Sequence, residues 1–598
     1  MMEDPYIPKT LFQLVQEGID KNKNKVLSAT KRTGKWLKIS PSQFSKKVRY
    51  LALALHHLGV RKGDKITLQS ENSNEWLIAD QAILSLGAVD VPIHISENPD
   101  EVVRIIEHSE AKIHIFSKYI YYQNISEKLD SKDSNFKIIS LIEEDLPRNV
   151  LKFNDLLENG ESIDHNNSDL FERLSSKVKP DDLATIVYTL GTEGNACGVM
   201  LTHNNISSNV WASQDAIPFD IENLDHKPVL SYLPLSHILE RMVVYLYLYS
   251  DLPVYFIEHI EEIMDDFMDI RPIHFTTVPR LLEKLYTGIW NKVKELEGRE
   301  KRATEFGLRL AEEYEYAKPF KGYKLIQYYI ADKLVYSKIR ESLGGKLLAI
   351  TSGGAALSAK LMNFINALGI HCSQGYGLTE ASPVLSVCRP DELIAGSVGK
   401  PLRNVEIKIE EDGEILVKGP NIMKGYYKNP SKTEHVITKD GWLRTGDLGH
   451  FDNEGNLFIT GRKKELIKLS TGKYIAPANI EIALERSEFI EQAAIIGYGQ
   501  KYCAALIYPS YGAVKDYFKS KDIELSDNHL SENSEVFKLI ESEVFEVNKL
   551  YADWEQVKQF RIMQKPLRIE DGELNHLFKK KRSVIQEHYK ELISSIYG

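Results

Sequence analysis

The stretch from Tyr188 to His203, YTLGTEGNACGVMLTH, concentrates residue types that handle phosphate. Gly191, Gly194 and Gly198 permit close backbone approach and positive φ, Thr192 offers a hydroxyl, and several backbone N–H groups can point inward after the apolar run Ile186-Val187. It is not a Walker loop, because no Gly-Lys-Ser/Thr follows at the required spacing and the stretch holds no lysine. Other segments must then complete a site. Ser352-Gly353-Gly354-Ala355 follows an apolar run, so its small residues let a flat ligand lie against backbone. In Gln374-Gly375-Tyr376-Gly377-Leu378-Thr379-Glu380, Tyr376 suits stacking on a base, Thr379 can donate to a phosphate, and Glu380 can hold Mg²⁺. Asp447, in the Gly-bounded turn of Trp442-Leu443-Arg444-Thr445-Gly446-Asp447-Leu448-Gly449, can accept two hydroxyl hydrogen bonds, which is what a ribose offers. Two basic runs remain, Arg462-Lys463-Lys464 leading to Lys468, and Lys579-Lys580-Lys581-Arg582. Taken singly, each piece is as ordinary as a Gly-rich strand-to-helix connection, a capping pair or a solvated basic face.

The elements that would position these groups alternate. Helix-like Phe44 to Leu58, a strand at Lys65 to Leu68, a helix through Trp76 to Leu86 and a strand at Ala88 to Pro92 are followed by strands at Lys112 to Phe116 and Lys137 to Leu141. Such alternation predicts βαβ units around a mainly parallel sheet, an α/β fold. From Leu285 to Leu343 the sequence turns charged and helix-periodic, which predicts a solvated helical excursion. Strands return at Lys346 to Thr351, and beyond Gly399 short strands flank an Asp-Gly turn, a hairpin signal. A last unit starts near Gly461, with strands at Ala493 to Ile496 and Cys503 to Tyr508 and then charged helices.

At 598 residues the chain exceeds one ordinary core. A net charge of -10 argues against a nucleic-acid partner. Cys197, Cys372, Cys388 and Cys503 are too scattered for a disulfide framework or zinc site and fit a reducing cytosol. The N-terminus lacks the basic-then-apolar order of a secretory signal, and the longest apolar stretch, Met242 to Tyr249, is too short to span a bilayer. A cytoplasmic protein is expected, with peripheral contact at the inner face of a membrane left open. Oligomeric state is not legible.

In this order, the segments resemble the adenylate-forming enzymes, and more closely the long-chain acyl-CoA synthetases. Ser231 to His237 with Glu240-Arg241 looks like that group's Leu-Pro-Leu-x-His segment, and Arg271-Pro272 through Val278-Pro279-Arg280 is similar to its Val-Pro-Arg segment. Gly572-Glu573-Leu574, followed by Phe578-Lys579, resembles its C-terminal lysine segment. The resemblance implies a large N-terminal domain over 1–461, with layered α/β subdomains, a helical insertion at about 286–340 and a β-rich part at about 399–461. A small mobile α+β domain would occupy 462–598. It further implies that a medium or long-chain fatty acid attacks ATP to give acyl-AMP and pyrophosphate, and that coenzyme A then displaces AMP. Matching residues place Tyr376, Gly377, Gly354 and Ala355 at adenine, Asp447 and Arg462 at ribose, and Thr189, Gly191, Thr192, Gly194 and Lys468 at phosphates. Thr379, Glu380 with Mg²⁺, His237 and Lys579 would be catalytic, and Lys464 falls at the family's hinge.

The loop departs from the family's Thr-Ser-Gly-Thr-Thr-Gly-x-Pro-Lys-Gly. Leu190 replaces Ser, Glu193 a Thr, Ala196 the Pro and Cys197 the Lys. Losing a charged donor costs about 1.5–3 kcal/mol, and a carboxylate about 4 Å from a phosphate oxygen repels it by roughly 4 kcal/mol at an effective dielectric of 20. Asn575-His576-Leu577 also replace Thr-Pro-Thr. The sequence therefore leaves three readings: a synthetase gripping ATP differently, an acyl-carrier-protein ligase, or a catalytically weakened relative that binds nucleotide or fatty acid.

Overall fold

The computed structural model describes the chain apart from residues 1–4, 23–24, 130–135, 143, 191–195, 225–226, 258, 522, 524–529, 569, 575–579 and 598. By its internal contacts the chain divides into two compact units. The first comprises residues 1–408, 416–445 and 451–458, and the second 409–415, 446–450 and 459–598.

Two large sheets build the first unit. In the eight-stranded sheet, Val89–Ile93, Lys65–Gln69, Ile113–Phe116, Lys137–Ser140 and Val150–Lys152 run parallel, as the strand and helix alternation predicts. Leu183–Leu190 joins this parallel set beside Val89–Ile93, and Ala196–Thr202 and Gly425–Tyr426 close the edge antiparallel. The glycine-rich stretch consequently joins two paired strands. In that hairpin Gly198 has no room for a side chain, because a Cβ would lie 2.7 Å from Ile186 Cγ2.

The nine-stranded sheet is parallel from His371–Gly377 through Ala349–Ser352, His274–Thr277, Val229–Ser231 and Val254–Phe256 to Ser28–Arg32. Antiparallel strands flank it on both sides.

The helical excursion differs from its expected solvated character. Helices Pro279–Glu295, Gly298–Glu312 and Tyr323–Ala331, with the π-helical turn Asp332–Tyr336 that continues the last, bury Leu282, Leu308, Ala311, Ala331, Val335 and Tyr336 in one core with Phe364. Its charged residues had masked an apolar face at helical spacing. In the second unit, Ile490–Ile496 and Cys503–Pro509 are joined by a parallel strand, Val557–Ile562, in a segment expected to be helical. Only Val557, Phe560 and Ile562 of that strand are buried, so polar residues obscured its signal.

A buried ion cluster is one of the links between the two halves of the first unit. Arg241, on helix Ile238–Tyr249, is 1% exposed and pairs with Asp80 of helix Asn74–Ser85 and, at 2.9 Å, with Asp90 of strand Val89–Ile93. Its other guanidinium nitrogens donate to Thr185 Oγ1 at 2.9 Å and Tyr245 OH at 2.8 Å, while Tyr245 donates to Asp80 at 2.6 Å. Burial raises Asp90 above the carboxylate range; Arg241 opposes that rise and the Asp80 charge adds to it. A second carboxylate beside a buried one adds to the cost of ionising it. Removing the cation strands both acids in the core, so Arg241→Met should destabilise the protein by about 3–5 kcal/mol in urea unfolding. The Asp90→Asn variant, which keeps one acid for one cation, should cost much less.

Candidate functional site

Three neighbouring strands of the nine-stranded sheet end at one edge, because Thr277 pairs with Ser352 and Ser352 with Gln374. The carboxyl edge of parallel strands is where α/β folds receive ligands. Gly353-Gly354-Ala355 leaves this edge, with Gly354 at φ +75° and both Gly354 and Ala355 exposed. Tyr376 and Gly377 close the adjacent strand, half-buried, and lead into the turn Thr379–Ala381. Gly377 is required by contact: a Cβ there would lie 1.9 Å from the Pro383 carbonyl oxygen, to which the Leu378 N–H donates at 3.0 Å. Any side chain would push the Thr379-Glu380 turn off its neighbouring strand.

Glu380 is tied to the other sheet. The Tyr426 hydroxyl donates to its carboxylate at 2.9 Å, and the Met423 N–H donates to its carbonyl at 2.8 Å. Tyr426 pairs with Val199 on the strand that leaves the glycine-rich turn. Burial, and then the nearby Glu380 charge, push the Tyr426 phenol far up, so it stays a donor. Lys432, on helix Pro430–Val436, places its ammonium 4.5 Å over the Tyr426 ring and 2.9 Å from Cys197 Sγ. A lysine therefore stands beside the position where the resemblance expects one in the loop. Tyr426 and Lys432 escaped the sequence reading; their only local signal is the Asn429-Pro430 helix start, where Asn429 caps the Lys432 N–H at 3.0 Å.

Thr189 lies opposite Cys197 in the hairpin, whereas Gly191, Thr192, Glu193 and Gly194 lie outside the described residues. The ring of His237 sits 5.9 Å from that of His94. The segment before it is clamped by Asn72, also overlooked in sequence, which donates to the Leu233 carbonyl at 2.7 Å and accepts from the Leu235 N–H at 2.9 Å. Glu240 is fully buried and receives the Ser231 hydroxyl at 2.5 Å; burial pushes its carboxyl up to about 8, so it is protonated at neutral pH.

In the second unit, Arg462 Nε lies 2.7 Å from Asp447 Oδ1, with Asp447 buried and Arg462 half-exposed. Lys464 lies in the turn Lys463–Glu465, next to Lys463, which pairs with Glu414 at 2.9 Å and Asp412 at 2.5 Å. Lys468 ends a two-residue strand with its ammonium 5.6 Å over the Tyr474 ring. Lys579 lies outside the described residues. Lys580 is committed elsewhere, 2.8 Å from Glu485 and 3.3 Å from Glu481, and Glu481 also takes a two-pronged contact from Arg582 at 2.8 and 3.0 Å. Among the described residues, no group of three or more His, Cys, Asp or Glu forms a metal cage.

Two α/β sheets with small and polar residues leaving their strand ends, followed by a C-terminal unit, form an architecture suited to holding a ligand at the strand ends. The AMP-binding enzyme family model matches residues 16–427, and the AMP-binding enzyme C-terminal domain model matches 464–598. The chain belongs to the AMP-binding enzyme family. It is 32% identical over 571 residues to a long-chain-fatty-acid–CoA ligase, FadD15, of Mycobacterium bovis, spanning 94% of this chain and 93% of that one. It is 30% identical over 626 residues to rat long-chain-fatty-acid–CoA ligase 5, spanning 98% and 88% respectively. Among solved structures, a carboxylic acid reductase A domain from Segniliparus rugosus, in complex with AMP and a co-purified carboxylic acid, superposes with a TM-score of 0.72 at 20% identity, covering 98% of this chain and 94% of that one. A Mycobacterium tuberculosis fatty acyl CoA synthetase does so at 0.61 and 18% identity, covering 98% and 99%. These two likenesses establish the shared fold.

The Glu481 cluster makes a prediction about acid. Burial works to raise Glu481, but Lys580 and Arg582 outweigh it, leaving its pKa below the ordinary value. A depressed carboxylate contributes stability above its unfolded value and loses that contribution as pH falls through the folded one. Wild-type thermal stability should therefore drop below about pH 4.5. Glu481→Ala should lose about 3–5 kcal/mol at neutral pH by leaving Arg582 without its carboxylate and Lys580 with Glu485 alone, and its acid-induced drop should be shallower than that of the wild type.

Proposed function

We propose that this protein activates a long-chain fatty acid with ATP and transfers the acyl group to coenzyme A. The reading is supported by the Glu380, Tyr426, Lys432 and Cys197 group beside Tyr376 and Thr379, and by relatives whose names specify long-chain fatty acids and coenzyme A. The fatty carboxylate oxygen attacks the α-phosphorus, a phosphoanhydride bond breaks, and pyrophosphate leaves. The coenzyme A thiolate then attacks the acyl carbonyl, and AMP departs as the thioester forms.

Tyr376, Gly377 and the Gly354-Ala355 turn would seat adenine, with Asp447 and Arg462 on the ribose hydroxyls. Thr379 would donate to the α-phosphate, while Thr189, Gly191, Thr192, Gly194 and Lys468 would meet the phosphate oxygens. His237 would stand at the reacting carboxylate and Lys579 would serve adenylation, with Lys464 as the pivot of the C-terminal unit. Glu380 fits Mg²⁺, because a single carboxylate, outside any acidic cage among the described residues, suits a cation that keeps waters and substrate phosphates as its other ligands. When bound, the ion neutralises charge that builds on the phosphates.

Lys432 would replace the loop's missing cation. Its position beside Cys197 allows its ammonium to meet the charge that a loop lysine would otherwise meet.

Fatty-acid-dependent ATP–pyrophosphate exchange tests the reaction, and folded protein giving no exchange at saturating MgATP would sink it. Lys432→Ala should raise the KM for ATP by about 10–100-fold, the equivalent of one lost charged donor. Adding Cys197→Lys to that variant should restore most of the loss. An unchanged KM in Lys432→Ala would show that Lys432 only packs against Tyr426.

A further inference from the structure

Helix Tyr323–Ala331 and the π-helical turn Asp332–Tyr336 that continues it are apolar on two sides. One side is core: Ala331, Val335 and Tyr336 are buried, and the Tyr336 hydroxyl donates to the Gly307 carbonyl at 2.7 Å. The other side is bare. Tyr323 is 74% exposed, Ile326 58%, Tyr329 63%, Ile330 55% and Leu334 55%. Positions 323, 326, 330 and 334 share one stripe of a helix, with 329 at its border. Exposed apolar residues are ordinary singly, whereas five large ones lining one helix and its continuation mark a surface with a partner.

The surrounding charge identifies that partner. From 318 to 338 the chain carries five lysines and one acid, Asp332, although the whole protein carries a net charge of -10; Lys318, Lys324 and Lys338 pair with Glu315, Glu313 and Glu300 at 3.3, 2.8 and 3.0 Å, so the excess positive charge rests on Lys321 and Lys333. Asp332 is held by Arg340 at 2.6 Å, and among the described residues Lys321 and Lys333 form no ion pair. Lys333 borders the shallow groove that Ile326, Tyr329, Ile330 and Leu334 line. A basic rim around apolar and tyrosine side chains matches the headgroup boundary of an anionic bilayer. It disfavours self-association through the same face, which would bring lysines against lysines. Among the described residues no helix is long and apolar enough to cross a membrane, so such contact would be interfacial.

We propose that the exposed face of residues 323–334 docks the protein on an anionic lipid surface. The inference extends the proposed activity, whose long-chain acyl substrate partitions into such surfaces. Its vesicle-binding test omits ATP and fatty acid, so the two can fail separately.

The full chain is sedimented with vesicles of phosphatidylcholine alone and of phosphatidylcholine with phosphatidylserine. Binding should require phosphatidylserine and weaken with salt. Ile326→Ser with Ile330→Ser, and separately Lys321→Glu with Lys333→Glu, should each lower vesicle affinity by about tenfold or more. Pyrophosphate exchange on a short, soluble acid should stay as in the wild type. An Ile330→Trp variant, which keeps the face apolar, should show more indole fluorescence quenched by brominated lipid than the wild type does. The proposal fails if the wild type ignores both vesicles, if the variants bind as the wild type does, or if brominated lipid leaves the added indole unquenched. It also fails if the apolar substitutions convert a dimer to monomer without changing vesicle binding, which would assign the face to a second copy.

Discussion

The pairing of Arg241 with Asp80 and Asp90 governs how the first unit holds together. An isolated charge at that depth is prohibitive, and the cluster is tolerable only because every member finds a partner of opposite charge or a hydrogen bond. The guanidinium joins the helix that follows Val229–Ser231, a strand of the nine-stranded sheet, to Asp90 and Thr185 of the eight-stranded one. With those elements registered to each other, the Leu-Pro-Leu segment and His237 emerge at a defined place. Asn72 then fixes that segment with two further hydrogen bonds.

A second tie, weaker and more exposed, works at the strand ends. Tyr426 bonds Glu380 of one sheet while pairing with Val199 in the other, and Lys432 covers the ring of the same tyrosine. The charge order across this short path is carboxylate, phenol, ammonium, thiol. Each neighbour suits the next, since the phenol is held protonated and can donate to the carboxylate while its ring face receives the cation. A loop that lacks its own lysine can therefore sit beside positive charge supplied by a distant segment.

Sequence periodicity revealed the centre of the eight-stranded sheet, and little of the nine-stranded one, because buried central strands are runs of apolar residues with few alternatives. Lys65–Gln69, Val89–Ile93 and Ile113–Phe116 fall within a residue or two of the expected positions. Val557–Ile562 escaped because it buries one face only. The helical excursion misled because its lysines and glutamates occupy the same helices as its core residues. Within the site, Tyr376, Thr379 and Glu380 were legible as a local motif. Tyr426 and Lys432 were not, since their approach to Glu380 and Cys197 comes from strand pairing between residues more than 200 positions apart. No local pattern encodes such a meeting.

The Arg241 cluster also bears on the order of events during synthesis. Asp80 and Asp90 are made early, yet their cation arrives about 150 residues later, which at 5–20 residues per second is roughly 8–30 s of translation. Until then the first strands and helices carry two acids in what will become their interior, so hydrated carboxylates oppose premature closure of that core. The native partner of both acids is thus supplied only once the helix carrying Arg241 has been made.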